Sequence, residues 1–366
     1  MKIVIYPARF NRSNAGEILI NVLLVRELSK HARVYIVGNC DDVMHYLTRN
    51  NPFAHRIITR SSGCFREKLR NAFHHVFSAT FIIDPPGHYF DSRDCKGILK
   101  HWKCLLRIIY NRLFGIRCIR IGATVGPYTR VNWLIAWLCS LAYSKFGTRE
   151  LQNFEELHAR GFSNLLYTPD PAFLLPTSAF QISKDDATAE THPYISITLR
   201  GAIPGVHTGD SYYGALVKSL TRILPVNRNY FLSCQAEDDL LFMMRLFQEL
   251  QNRGYFVQLI PGILPLDEAL EHYRNADAVV TNRLQVALPA LLNNTPAFAL
   301  TDVEHHSKLV NLYTENGLEN MLLNIYNPQL KQINLNEEVS KCLEAFAENA
   351  RQNNELLTLT IQRLVT

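Results

Sequence analysis

Between Asp277 and Pro296 the chain packs a strand, a helix and the approach to a second strand into a short span, and no other stretch restricts the fold as much. Ala278–Thr281 and Ala297–Leu300 are apolar runs with no polar alternation. Strands of that kind are covered on both faces and belong to parallel sheets. Between them Leu284, Ala287, Leu288 and Leu291 recur at helical spacing until Asn293-Asn294-Thr295-Pro296 stops the helix. A preceding helix carries Glu268, Leu270 and Tyr273 and ends near Asn275. Asn282 is placed to cap the helix that follows, because its side-chain oxygen can accept a free amide hydrogen. Arg283 then stands at a helix N-terminus just past a strand's carboxyl end, where unpaired amides and the helix dipole favour an anion. The plainer alternative is a solvated surface arginine.

The same alternation runs through the rest of the chain. Ile3–Tyr6, a loop to Glu17, a helix through Ile18, Val22 and Leu28, and Val34–Val37 make a β-loop-α-β opening. The loop has one glycine, so it is not a G-x-G-x-x-G nucleotide turn. Phe81–Asp84 and Cys118–Gly122 continue as strands, the first running into Pro85-Pro86-Gly87-His88, where prolines remove the amide donors a phosphate loop needs. A polar stretch, 176–193, has Pro near both ends and suits a linker. Beyond it, strands at Tyr194–Leu199, Asn229–Ser233 and Phe256–Ile260 alternate with helices at Tyr213–Leu224 and Leu240–Arg253. The expected architecture is α/β, with two Rossmann-like domains in a GT-B-like arrangement around a central cleft. Its divisions are an N-terminal domain over 1–178, a linker over 179–193, a C-terminal domain over 194–335 and closing helices over 336–366.

Composition excludes several classes. With 366 residues the chain can bury two cores, and 47% hydrophobic against 19% charged residues is ordinary for a globular protein. A net charge of +5 is mild, whereas a nucleic-acid binder is usually more basic, with aromatics interleaved among clustered Lys and Arg. The eight cysteines show no C-x-x-C and no Cys/His pairing, so neither zinc nor a disulfide framework is expected. Met1-Lys2 leads straight into a strand, and no apolar run is long enough to span a bilayer; a reducing cytosol is the expected address.

One stretch is unusual in charge. From Cys95 to Arg149 there is no Asp or Glu, against ten Lys or Arg. Within 96–112, Ile98, Leu99, Trp102, Leu105, Leu106 and Ile109 alternate with Lys96, Lys100, Lys103, Arg107 and Arg112. A basic amphipathic helix bearing Trp can lie on an anionic membrane face, which would be peripheral contact with the inner membrane. A crossover helix whose apolar stripe packs on the sheet is the plainer reading. Trp133–Leu138 reads as a buried helix.

Several motifs together resemble the polysaccharide pyruvyl transferase family. They are Asn14-Ala15-Gly16-Glu17, Val125-Gly126-Pro127, Arg149-Glu150 before a helix ended by Gly161, and Pro169-Asp170-Pro171-Ala172. Asn275-Ala276-Asp277-Ala278-Val279-Val280, Arg283-Leu284, Asn294-Thr295-Pro296 and Lys308 complete the set. One departure stands out: where the family has His after Arg-Leu, this chain has Gln285. The resemblance implies transfer of pyruvate from phosphoenolpyruvate onto a sugar of a bacterial surface polysaccharide or its lipid-linked precursor, forming a ketal, with no cofactor or metal.

Such a donor needs fixed cations, and Arg suits planar bidentate recognition. The candidates are Arg283, Arg200 and Lys308, with Gln285 able to hydrogen-bond phosphate and Arg149 facing them. Asn14 and Glu17 either shape the cleft wall or, for Asn14, simply cap a helix. Gln285 cannot titrate, so the proton donor falls to His305, His306 or Asp238. Asp170 reads as a structural brace. Two other classes stay open: a GT-B-like glycosyltransferase using a nucleotide sugar, and a degenerate, non-catalytic member of the family.

Overall fold

Two parallel sheets organise the chain, each covered by helices. The computed structural model describes residues 2–7, 14–38, 41–60, 80–89, 95–126, 129–175, 193–202 and 209–365. The expected linker over 179–193 lies, but for its last residue, outside the described residues, as do Pro127 and residues 8–13 of the first loop. The chain divides into a first unit of Met1–Phe10, Ile18–Leu174 and Asn353–Thr366, and a second of Asn11–Glu17 and Leu175–Gln352.

The first unit holds strands β1 (Ile3–Pro7), β2 (Arg33–Val37), β3 (Ile57–Arg60), β4 (Thr80–Asp84), β5 (Gly87–Tyr89), β6 (Arg117–Val125), β7 (Lys145–Thr148) and β8 (Leu165–Tyr167). Their order is β3-β2-β1-β4-β6-β7-β8, with β5 beside the far end of β6. Helices α1 (Ala15–His31), α2 (Met44–Thr48), α3 (Cys95–Leu113), α4 (Arg130–Ala142) and α5 (Leu151–Ala159) accompany them. Pro85–His88 is not the simple loop its prolines suggest. Gly87, at φ +126°, instead turns the chain back into the sheet.

In the second unit β9 (Tyr194–Thr198), β10 (Asn229–Cys234), β11 (Phe256–Ile263), β12 (Ala278–Thr281), β13 (Ala297–Thr301) and β14 (Leu322–Asn324) form one parallel sheet. Every residue of β9, β12 and β13 is buried, which is why these strands read as unbroken apolar runs. Helices α6 (Asp210–Ile223), α7 (Leu240–Asn252), α8 (Leu266–Asn275), α9 (Leu284–Leu292) and α10 (Ser307–Glu315) connect and cover the strands. Leu216, Leu220 and Ile223 are fully buried on the inner face of α6. Each such side chain contributes roughly 1.5 to 3 kcal/mol of burial free energy.

The closing element is a single helix, α11 (Glu337–Val365), rather than several. Its residues to Gln352 belong with the second unit and those from Asn353 with the first, where Asn354 Nδ2 donates to the Phe173 carbonyl at 2.6 Å.

Two helices of the first unit depart from expectation. Leu105 and Ile108 of α3 and Ile135, Ala136 and Cys139 of α4 enter one core. Leu99, Trp102, Leu106 and Ile109 of α3, and Val131 and Leu134 of α4, stay exposed. The stretch Trp133–Leu138 is therefore buried on one face only. Each helix has more apolar positions than its inward face can accept.

Candidate anion site at the switch point of the second sheet

The strand order of the second unit, β11-β10-β9-β12-β13-β14, reverses direction between β9 and β12. In open α/β sheets ligands bind beyond the carboxyl ends of the strands at that reversal. Arg200 follows the end of β9, and Arg283 follows the end of β12.

A buried polar layer fixes both backbones. Thr281 Oγ1 donates to the Thr198 carbonyl at 2.6 Å and accepts from Arg283 N at 3.0 Å. Asn282 is not the helix cap that its position suggested. Its Oδ1 accepts from Arg200 N at 2.6 Å and its Nδ2 donates to the Arg200 carbonyl at 2.9 Å, so the amide clamps the end of β9. The cap position of α9 falls to Arg283, which makes no side-chain cap bond. Gly201 sets Arg200 closely against α7: a Cβ there would stand 2.5 Å from Phe242 Cδ2.

Burial, and then the charge of Arg283, lower the pKa of Arg200, so the two guanidinium groups feel one another directly. Arg283 pairs through Nη2 with the buried carboxylate of Asp239, whose pKa burial raises. Its Nε is buried and has no hydrogen-bond partner. A guanidinium with an unused buried donor is set up to receive an acceptor.

His306 belongs to the same cluster. Its Nδ1 shares a 2.7 Å hydrogen bond with Thr301 Oγ1, and burial followed by Arg200 and Arg283 pushes its pKa down to about 4. His305 Nδ1 meets the buried Asp302 Oδ2 at 2.9 Å, with the ring near the surface. Asp238 is exposed and acts on Arg200 only electrostatically; the acid that enters the cluster is its neighbour Asp239. Among the described residues Lys308 makes no ion pair or hydrogen bond, and burial alone pushes its ammonium down to about 7. It is therefore not the third member of the arginine cluster that the sequence suggested.

Asn14–Glu17 closes another side of the site. Asn14 Oδ1 accepts from Gly16 N at 3.1 Å and Glu17 N at 3.3 Å, which is a helix cap for α1. Ala15 N donates to the Gln235 carbonyl at 3.3 Å. A Cβ on Gly16 would lie 2.4 Å from Gln285 Cβ and 2.5 Å from Gln235 Nε2, so only glycine fits against the first turn of α9. Burial raises the pKa of Glu17 in this segment.

Arg149 is placed differently from the sequence expectation. It lies inside the first unit, with Nε 2.6 Å from Thr124 Oγ1 and 3.3 Å from Glu150 Oε1, and Nη1 2.7 Å from Asp170 Oδ2. Asp170 Oδ1 also accepts from Ala172 N at 2.9 Å. The guanidinium is held by this buried network through Nε and Nη1. Among the described residues no group of three or more His, Cys, Asp or Glu side chains is arranged to hold a metal ion.

Asp239 and Asp302 were missed from the sequence, and Asn282 was given a cap's role instead of its clamp on Arg200. Asp302 follows β13 directly and was as legible as Arg283. Asp239 was hidden among three consecutive acids, Glu237-Asp238-Asp239, which only the fold distinguishes.

The family model for polysaccharide pyruvyl transferase matches residues 14–302. The chain belongs to that family. Its matched segment runs from the Asn14 cap to Asp302, so every residue of the cluster except His305 and His306 lies within it. A comparison with curated protein sequences returned no match. Among solved structures, UDP-GlcNAc 2-epimerase from Methanocaldococcus jannaschii is 14% identical, with a TM-score of 0.56 over 98% of this chain and 99% of that one. The same enzyme in complex with UDP-GlcNAc and UDP gives 12% identity and 0.55, again over 98% of this chain and 99% of that one. The Neisseria meningitidis enzyme bound to UDP-GlcNAc gives 12% and 0.52, over 96% of this chain and 100% of that one. These are likenesses of fold: two parallel α/β sheets of the kind found in this pyruvyl transferase family member.

The low histidine pKa values set a stability prediction. His272 is buried with Nε2 2.9 Å from Ser196 Oγ, and its pKa is also pushed down to about 4. An unfolded chain binds protons to both imidazoles near pH 6.5, whereas the folded chain does so only near pH 4. Their contribution is thus complete above pH 6.5 and is lost as pH falls to 4, on the order of 3 kcal/mol for each ring. Urea unfolding at pH 7 and pH 5 should show the loss, and His272→Gln should shrink it. Equal stability at both pH values would contradict this placement.

Proposed function

We propose that the protein transfers the pyruvyl group of phosphoenolpyruvate to a sugar of a surface polysaccharide or its lipid-linked precursor. The observation that carries this reading is the coupled Arg200–Arg283 pair at the switch point, with the Arg283 Nε left without an acceptor. Phosphoenolpyruvate presents a phosphate and a carboxylate, and two guanidinium groups match them in charge and in planar donor geometry.

The chemistry asks for little beyond binding and proton traffic. One sugar hydroxyl adds to the central carbon of the donor as the methylene takes a proton and becomes a methyl group. A second hydroxyl then displaces phosphate, and the ketal closes. His306 is neutral at rest because burial and the two arginines repel a proton. A bound dianion offsets the arginines' share of that shift but not the effect of burial, so it eases protonation of the imidazole, which can then pass a proton on through Nε2. His305, held by Asp302 at the surface, is placed to accept a proton from the sugar. Gln285, in the family's histidine position, hydrogen-bonds without titrating.

A second reading takes a nucleotide sugar as donor, favoured by the solved structures of similar fold that hold UDP or UDP-GlcNAc. Thermal-shift titration separates the two. Phosphoenolpyruvate is expected to raise the melting temperature and UDP-GlcNAc to leave it unchanged, and Gln285→His should keep the phosphoenolpyruvate response. Stabilisation by UDP-GlcNAc alone would overturn the pyruvyl reading. Phosphate release in the presence of a lipid-linked glycan, with a ketal in the product by mass spectrometry, tests the reaction itself.

A further inference from the structure

We propose that the outer faces of α3 and α4 together dock the protein on an anionic lipid surface. The amphipathic pattern in the sequence allowed either a membrane face or an inward-packed stripe, and α3 has an inward-packed stripe together with a second, exposed one. Ile98, Leu105 and Ile108 turn toward the core, while Leu99, Trp102, Leu106, Ile109 and Leu113 form a second stripe on the solvent side. Leu99 is 54% exposed, Leu106 61% and Leu113 79%. On α4 the same occurs at Val131, Leu134 and Leu141. Arg112 Nη1 donates to the Leu141 carbonyl at 2.8 Å, tying the two helices, and both bury their opposite faces in one core. Their free stripes therefore lie on the same side of the unit.

More than half of the exposed large apolar side chains among the described residues fall between Leu99 and Leu141. A patch of that kind on a soluble surface marks a place where something binds.

Charge selects the occupant. Lys96, Lys100, Lys103, Arg112 and Arg130 are exposed around the stripes, and no Asp or Glu occurs from Cys95 to Arg149. Asp84, whose strand runs beside β6, is buried and held by Arg107 Nη2 at 2.7 and 2.8 Å, so it does not offset the basic belt. A second copy of the chain would bring this belt against itself with no acid to pair, which opposes self-association. A protein–nucleic acid contact would leave the leucines unused. An anionic bilayer accepts both features: apolar side chains enter the acyl boundary, and the lysines meet the headgroups. The face requires only the folded chain, so it stands or falls independently of the donor assigned to the second unit.

The test is sedimentation of the full-length chain with phosphatidylcholine vesicles, with and without phosphatidylglycerol. Binding is expected only with the anionic lipid, weakening with salt. Lys96→Ser/Lys100→Ser/Lys103→Ser should weaken it about 100-fold, at the usual gain for each basic residue near an anionic surface. Leu106→Glu/Leu113→Glu should abolish it with an unchanged melting curve, because both side chains are exposed. Trp102 emission should shift to the blue on anionic vesicles, and Trp102→Phe should remove that shift. Absence of binding, equal binding to neutral vesicles, or a concentration-dependent dimer dissolved by the leucine variant would each overturn the proposal.

Discussion

Arg283→Ala is expected to lose phosphoenolpyruvate binding by about 100-fold or more, since a charge-assisted forked contact is worth roughly 3 kcal/mol. The same change should destabilise the second unit, because Asp239 would keep a buried charge without its partner. Stranding one member of a buried pair costs about 3–5 kcal/mol. The two effects can be separated. Arg283→Ala/Asp239→Ala removes both charges and should recover most of the lost stability in urea unfolding, while calorimetry still shows no donor binding. Arg283→Lys should retain the ion pair and part of the affinity, because an ammonium supplies charge without the planar fork. Donor affinity that survives in the double variant would mean the anion is held elsewhere.

Arg149→Met is expected to do the opposite. It leaves the carboxylates of Glu150 and Asp170 in buried surroundings with their cation gone. A loss of about 3–5 kcal/mol follows from the same principle, which for a unit of this size lowers the melting temperature by about 10 °C. Donor affinity should not change, since the guanidinium is engaged within the first unit, Nε with Thr124 and Glu150 and Nη1 with Asp170. A variant that melts normally but binds phosphoenolpyruvate weakly would return Arg149 to the site.

The contrast between these two arginines shows what the amino-acid order can reveal. Both follow strands and both sit in family motifs. The strands themselves were legible because β9, β12 and β13 are buried on both faces and so lack polar alternation. That placed Arg200 and Arg283 at strand ends, and the reversal of strand order then brought them together. The partners were not legible, because they arrive from other elements. Asp239 comes from the turn after β10 and Asp170 from beyond β8, and only Glu150 is a sequence neighbour of the arginine it meets. Asn282 illustrates a local rule overridden: the amide that could cap α9 instead holds the backbone of Arg200, where two hydrogen bonds outweigh one. For α3 the pattern was read correctly as amphipathic, but the periodicity of a helix with two apolar stripes does not say which stripe faces inward.

The course of α11 has a consequence for how the protein is made. Leu357, Ile361 and Val365 are completely buried, and they belong to the unit that the first residues of the chain begin. During synthesis the earlier unit emerges first yet lacks part of its interior until residues 353–365 leave the ribosome. It must wait, with apolar surface uncovered, for the later one to be translated. Clipping or fusing a bulky tag at that tail should therefore disturb the beginning of the chain rather than its end.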